Sequence, residues 1–287
     1  MTDRGILSSL RYLFADVIGD DDAPTPVLPE GLPEAVVPVA SAAIQTLIEY
    51  QGPSYAGLYV DRLKRFVGRR GVDDAMFAEI ARLMAARMSY EDPIRIAQLT
   101  LATVGDSSAP VNDVKRFRID ELIGALPAIV AEPILDTLEW LGWLHLPVSI
   151  RFNATGRLGI RRLKIEAGLK RWRLFSVRYP KERAWVERWL HMIDRSLTKQ
   201  AAAAPAIVQS AAMIGGYGDS YRQGIADWNA IIDGLAKPTF DGVLALDDLG
   251  GAVAEARAAV LPDPRQASLK RKIAEIRARV PAEPNAP

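Results

Sequence analysis

Apolar residues recur every three to four positions along most of this chain, and that spacing admits little besides α-helix. In DDAMFAEIARLMAARM, Met76, Phe77, Ile80, Leu83, Met84 and Met88 fall on one face, with Asp73 or Asp74 placed to cap the start. YAGLYVDRLKRFVG repeats the pattern with Tyr55, Leu58, Tyr59, Leu63, Phe66 and Val67. In MSYEDPIRIAQLTLATV, Asp92 and Pro93 read as N-cap and first helical residue, because proline lacks the N–H that would be unpaired there. A break near Tyr90–Asp92 follows, since the residue before proline is pushed out of the α region.

Downstream, LIGALPAIVAEPILDTLEWLGWL reads as short helices broken at Pro127 and Pro133. GRLGIRRLKIEAGLKRWRLF sets Leu158, Ile165, Leu169 and Trp172 on one stripe and its bases on the other. PKERAWVERWLHMIDRSL starts at Pro180 and aligns Trp185, Trp189, Met192 and Ile193. The one good strand signal is LPVSIRFNATG, where Val148, Ile150 and Phe152 alternate with polar residues. The expected fold is therefore all-α, a multi-helix bundle with one small β-hairpin near 148–160. Residues 1–33 read as an N-terminal helix and a Pro/Asp-rich linker, 34–262 as the helical domain, and 263–287 as a C-terminal helix and tail.

The 287-residue chain contains no cysteine, which excludes disulfides, thiolate zinc, cysteine-ligated iron–sulfur clusters and a cysteine nucleophile. Its two histidines, His145 and His191, sit in aromatic, helix-like surroundings and read as structural. No stretch approaches the ~18 apolar residues of a membrane span, and no secretory leader is evident, so a cytoplasmic protein is expected.

MIGGYGDSYRQG (213–224) looks at first like a phosphate-binding glycine loop. It lacks the lysine of a P-loop, and Gly216, Gly218 and Gly224 have the wrong spacing for a dinucleotide loop. A helix joint fits better. Gly215 or Gly216 ends one helix in the left-handed region, and Ser220 with Gln223 forms a capping box for the next.

Charge is uneven. Residues 1–40 carry seven acids against two bases, and residues 151–200 carry fourteen Lys/Arg against four Asp/Glu. Arg161, Arg162, Lys170, Arg171 and Arg173, with Trp172 among them, form a candidate anion or docking face. It reads as a solvated or intersubunit face, as a site for a small phosphorylated ligand, or as a nucleic-acid surface; the near-neutral whole chain disfavours nucleic acid.

Four blocks, LIEYQGPSYAGLYVDRL, MSYEDPIRIAQL, GLKRWRLFSVRYPKERAWVERWL and IGGYGDSYRQGIADW, resemble the C-terminal helical region of indolepyruvate ferredoxin oxidoreductase beta-subunit family proteins. The resemblance spans about residues 28–270, without that family's N-terminal α/β domain. It implies an accessory subunit, not catalytic alone, of a complex that oxidatively decarboxylates arylpyruvates with coenzyme A and ferredoxin. No cofactor is expected on this chain. Thiamine diphosphate and iron–sulfur clusters are expected on a large catalytic partner, and a separate α/β subunit could supply the missing domain. The polar residues of the matched blocks become the candidate binding site: Arg87, Tyr90, Glu91 and Arg95 around the helix break, and Tyr217, Asp219, Tyr221 and Arg222 around the glycine joint. The arginines would contact carboxylate or phosphate, and the tyrosines and carboxylates would orient the ligand. Glu91 and Asp219 also read as caps or ion-pair partners. The alternative is a stand-alone helical module that binds a small molecule or a protein and performs no redox chemistry.

Overall fold

The computed structural model describes residues 24–106, 112–153 and 156–280. Thirteen α-helices among them carry the fold, so the all-α expectation holds. Four come first: α1 (Val37–Tyr50), α2 (Pro53–Leu63), α3 (Asp74–Met88) and α4 (Pro93–Asp106). Then strand β1 (Asn112–Arg118), α5 (Ile119–Gly124), α6 (Ala128–Trp140), strand β2 (Pro147–Asn153) and α7 (Gly156–Gly168) follow. A 3₁₀ segment, Leu169–Phe175, leads into α8 (Arg178–Lys199) and α9 (Ala204–Ser210). The chain closes with α10 (Gly218–Ile231), α11 (Lys237–Phe240), α12 (Leu249–Ala258) and α13 (Ala267–Ala278).

Local chemistry sets the helix starts as expected. The Asp73 carboxylate accepts from Met76 N at 2.7 Å, and Asp92 accepts from Arg95 N at 2.6 Å. Each satisfies an N–H that the first turn leaves orphaned.

The main core joins α1–α3 to α8–α13. Trp189 and Trp228 sit fully buried in it. Burying an indole leaves its N–H to be satisfied. Trp189 donates to the Ile207 carbonyl at 3.2 Å, and Trp228 donates to Ser210 Oγ at 2.9 Å. The C-terminal helix adds Leu269, Ile273 and Ile276 to this same core. A second, smaller core of Ile96, Ala97, Phe117 and Leu163 unites α4, the sheet and α7.

Three expectations change. β2 is the expected strand, but it pairs antiparallel with β1 upstream, Arg118 opposite Pro147 and Asn112 opposite Asn153. The small hairpin is therefore present, but it spans 112–153 rather than 148–160, with α5 and α6 in its connection. Pro133 does not break its helix; α6 runs through it. The carbonyl that a residue-133 N–H would bond belongs to Ile129, which lies on the open side of the helix where water can serve it. Finally, the stripe on α7 faces outward: Leu158 and Ile165 are exposed, as is Leu169 at the start of the 3₁₀ segment, and Leu163 is the buried residue.

Candidate functional site

A cavity of about 400 Å³ lies between the β1–β2 connection and the starts of α8 and α10. α5, α6 and the turn before β2 contribute Asp120, Glu121, Leu135, Glu139 and Leu144. The main body contributes Val177, Arg178 and Lys181 near the start of α8, and Tyr221 and Arg222 from the first turns of α10.

Behind the cavity wall, two guanidiniums share one carboxylate. Arg87 Nη2 lies 2.6 Å from Glu182 Oε2, and Arg178 Nε lies 3.0 Å from Glu182 Oε1. Arg87 and Glu182 are buried and Arg178 is nearly so. Arg87 also donates to the Ile214 carbonyl at 3.3 Å, and Arg178 donates to the Glu91 carbonyl at 3.0 Å. The Arg178 guanidinium lies between two rings, 4.6 Å from the Tyr90 centroid and 4.2 Å from that of Tyr221. Its Nη2 is buried without a hydrogen-bond partner among the described residues. The triad therefore carries one uncompensated positive charge, and its Arg178 end lines the cavity. Burial opposes the charge on Arg178, but Glu182 and the surrounding tyrosine oxygens outweigh it and hold the group above the ordinary arginine range. Burial, reinforced by Glu182, pushes the Tyr221 hydroxyl well above its ordinary value, so Tyr221 is a neutral donor at physiological pH.

The opposite wall is an ion-pair cluster around Asp120. Arg222 Nη2 approaches Asp120 Oδ2 to 2.5 Å, His145 Nδ1 lies at 3.4 Å and Arg118 Nη2 at 3.5 Å. Arg118 also pairs with the exposed Asp219 at 3.2 Å. Glu121 ties α5 to the start of α10 and to the end of β1. Its Oε1 accepts from Gly218 N at 2.7 Å and its Oε2 from Arg118 N at 3.2 Å.

Gly216 (φ +70°) and Gly218 (φ +67°) make the expected helix joint in the left-handed region. The expected capping box does not form. Ser220 Oγ donates to the Tyr217 carbonyl, and Gln223 bonds Asp227. α10 starts three residues earlier than that box requires, and Glu121 from α5 takes the capping role.

The structure thus brings Arg87, Tyr90, Tyr221 and Arg222 to one region. Glu91 enters through its backbone carbonyl. Tyr217 packs on Phe117, ring centroids 5.0 Å apart, in the smaller core. Arg95 stands apart, half-buried over Tyr50 with its guanidinium 5.8 Å from the ring. Arg173 is not on the basic face. It is buried, makes a two-pronged pair with Asp92 at 2.5 and 2.9 Å, donates to the Tyr50 carbonyl, and lies 3.8 Å over the Tyr50 ring. A 3₁₀ rather than α-helical turn carries it inward. Arg161 and Arg162 are exposed as expected, Arg162 held by Glu166 at 2.6 Å, while Lys170 is half-buried. The Arg171 side chain lies outside the described residues. Sequence reasoning missed Glu182, Asp120 and Glu121, which bind the candidates together. Glu182 stands four residues after Arg178, a spacing that pairs opposite charges on a helix.

Residues 36–234 match DUF6537, described as a family of unknown function. The chain belongs to this family. The DUF6537 span contains every residue of the cavity wall and of the buried triad. No curated protein and no solved structure matches the chain. Among the described residues there is no group of His, Asp or Glu arranged to hold a metal ion, and no helix long and apolar enough to cross a membrane.

Proposed function

We propose that this chain is a non-catalytic helical subunit that holds a small organic carboxylate in the cavity between the β1–β2 connection and the starts of α8 and α10. The observation that carries the reading is the excess buried cation: two guanidiniums against one carboxylate, with Arg178 lining the cavity. A buried charge without a partner is costly, and a ligand carboxylate would complete it with charge-assisted hydrogen bonds. Lys181 lines the same cavity and adds a donor. Leu135, Leu144, Val177 and the Tyr221 ring supply apolar contact for the rest of the ligand. Asp120 and Glu139 also line the cavity, which disfavours a multiply charged phosphate. The volume suits a ligand of arylpyruvate size.

The resemblance to indolepyruvate ferredoxin oxidoreductase proteins gives this reading its context. The ligand would be a 2-oxoacid. The partner would be a large subunit carrying thiamine diphosphate and the iron–sulfur clusters, which this cysteine-free chain has no thiolates to ligate. Calorimetric titration with indolepyruvate, phenylpyruvate and inorganic phosphate tests the site. Saturable binding of the arylpyruvates, weakened about tenfold or more in Arg178→Met, is the expected result. Binding indifferent to Arg178→Met, or none at millimolar ligand, overturns it. Co-purification from native cells separates the subunit from a stand-alone binding module.

A further inference from the structure

Helices α6 and α7 expose complementary faces. On α6, Glu132, Asp136 and Glu139 are exposed and form no ion pair among the described residues. On α7 the same holds for Arg157, Arg161 and Lys164. Both triplets follow one spacing, four residues and then three, so each makes a straight charged edge about 10 Å long. Beside each edge runs an apolar one. On α6 it comprises Ile129 (86% exposed), Pro133 and Trp140 (84%). On α7 it comprises Leu158 (83%) and Ile165 (61%). At roughly 100° per residue, charge and apolar edge together cover about 120° of arc on each helix, with the apolar edge on the same side of the charges. Set antiparallel, two such faces bring acidic edge to basic edge and apolar edge to apolar edge. Asp136 then opposes Arg161, and Trp140 opposes Leu158. Both faces being exposed, they do not cover one another within one chain.

We propose that the occupant of each face is a second copy of this chain. α6 of one copy packs antiparallel on α7 of the other, twice about a two-fold axis. The argument does not use the cavity ligand, although Glu139 of the acidic edge also lines the cavity. Large side chains left this exposed in a row mark an interface, and the charges select the occupant, because one chain carries both halves of the match. Two-fold pairing uses both faces of both copies and closes the assembly at two.

The test is sedimentation equilibrium of the full chain, with helix content followed by circular dichroism. A dimer at micromolar concentration is expected. Asp136→Lys alone and Arg161→Glu alone each turn attraction into repulsion at two symmetric contacts, and each weakens association about tenfold or more. Mixing the two single variants sets the introduced lysine of one copy against the introduced glutamate of the other at one contact. The second contact keeps the native pair of Asp136 with Arg161, so association is restored as a mixed dimer. A chain that stays monomeric at tens of micromolar overturns the proposal. So does a dimer indifferent to both reversals, or a mixture no tighter than either variant alone.

Discussion

Arg87 and Arg178 hold the two oxygens of one carboxylate, Glu182, at 2.6 and 3.0 Å. Removing the shared anion strands two cations in or near the core, whereas removing Arg178 leaves a balanced Arg87–Glu182 pair. Glu182→Gln should therefore cost about 3–5 kcal/mol, the range for breaking a buried pair from one side. Arg178→Met should cost clearly less, because Arg87 still satisfies the carboxylate. Urea denaturation of both variants checks the order; an Arg178→Met loss as large as that of Glu182→Gln would mean the charge excess is not real.

Asp92 has two structural duties. It caps α4 through Arg95 N and pairs with the buried Arg173. Arg173 also bonds the Tyr50 carbonyl, so it ties the end of α1 to the start of α4. Arg173→Met should cost about 3–5 kcal/mol by leaving Asp92 buried and unpaired. Arg95→Gln should change stability by about 1 kcal/mol or less, since only a half-buried ring contact is lost. Unfolding midpoints of the two variants measure the contrast between these neighbouring arginines.

What was legible in the sequence was local. The Asp73 and Asp92 caps act over three residues, and the glycine joint acts over four, so a linear reading finds them. Long-range partners were hidden. Arg87 meets Glu182 across 95 residues and Arg173 meets Asp92 across 81, and no spacing rule spans such distances. Periodicity identified the α7 stripe but not its direction, because an apolar stripe is the same whether the core or a partner covers it. Leu158 and Ile165 show the difference. β2 was readable by alternation, but its partner lay upstream beyond two helices.

Gly224 shows why one glycine of the joint cannot change. A Cβ there would lie 2.5 Å from the Met213 carbonyl oxygen and 3.1 Å from Ile214 Cα, both backbone atoms with little freedom to yield. Gly224→Ala should be destabilising by about 1–3 kcal/mol despite alanine's better helix propensity. Gly215 has open space around its Cβ position, and Gly215→Ala should fall within about 0.5 kcal/mol of the parent. Thermal melts of both variants decide whether close packing at α10, or glycine content as such, holds the joint.

Buried tyrosines should make the fold alkali-sensitive. Burial raises the hydroxyls of Tyr50, Tyr55, Tyr59 and Tyr90 well above their ordinary value. In the unfolded chain these groups ionise near pH ~10. Below that pH both states keep the protons, and the contribution to stability is fully present. Above it the unfolded chain binds fewer protons than the folded one, so stability falls as pH rises. Each group contributes at most about 1.4 kcal/mol per pH unit, and four together at most about 5. Against a total of about 5–15 kcal/mol, that slope unfolds the protein within a few pH units above 10. Tyrosinate absorbance of these residues and loss of helical circular dichroism should therefore rise in one cooperative step. Complete ionisation of all eight tyrosines while the helices persist would show that the cluster is open to solvent and that its burial does not govern the transition.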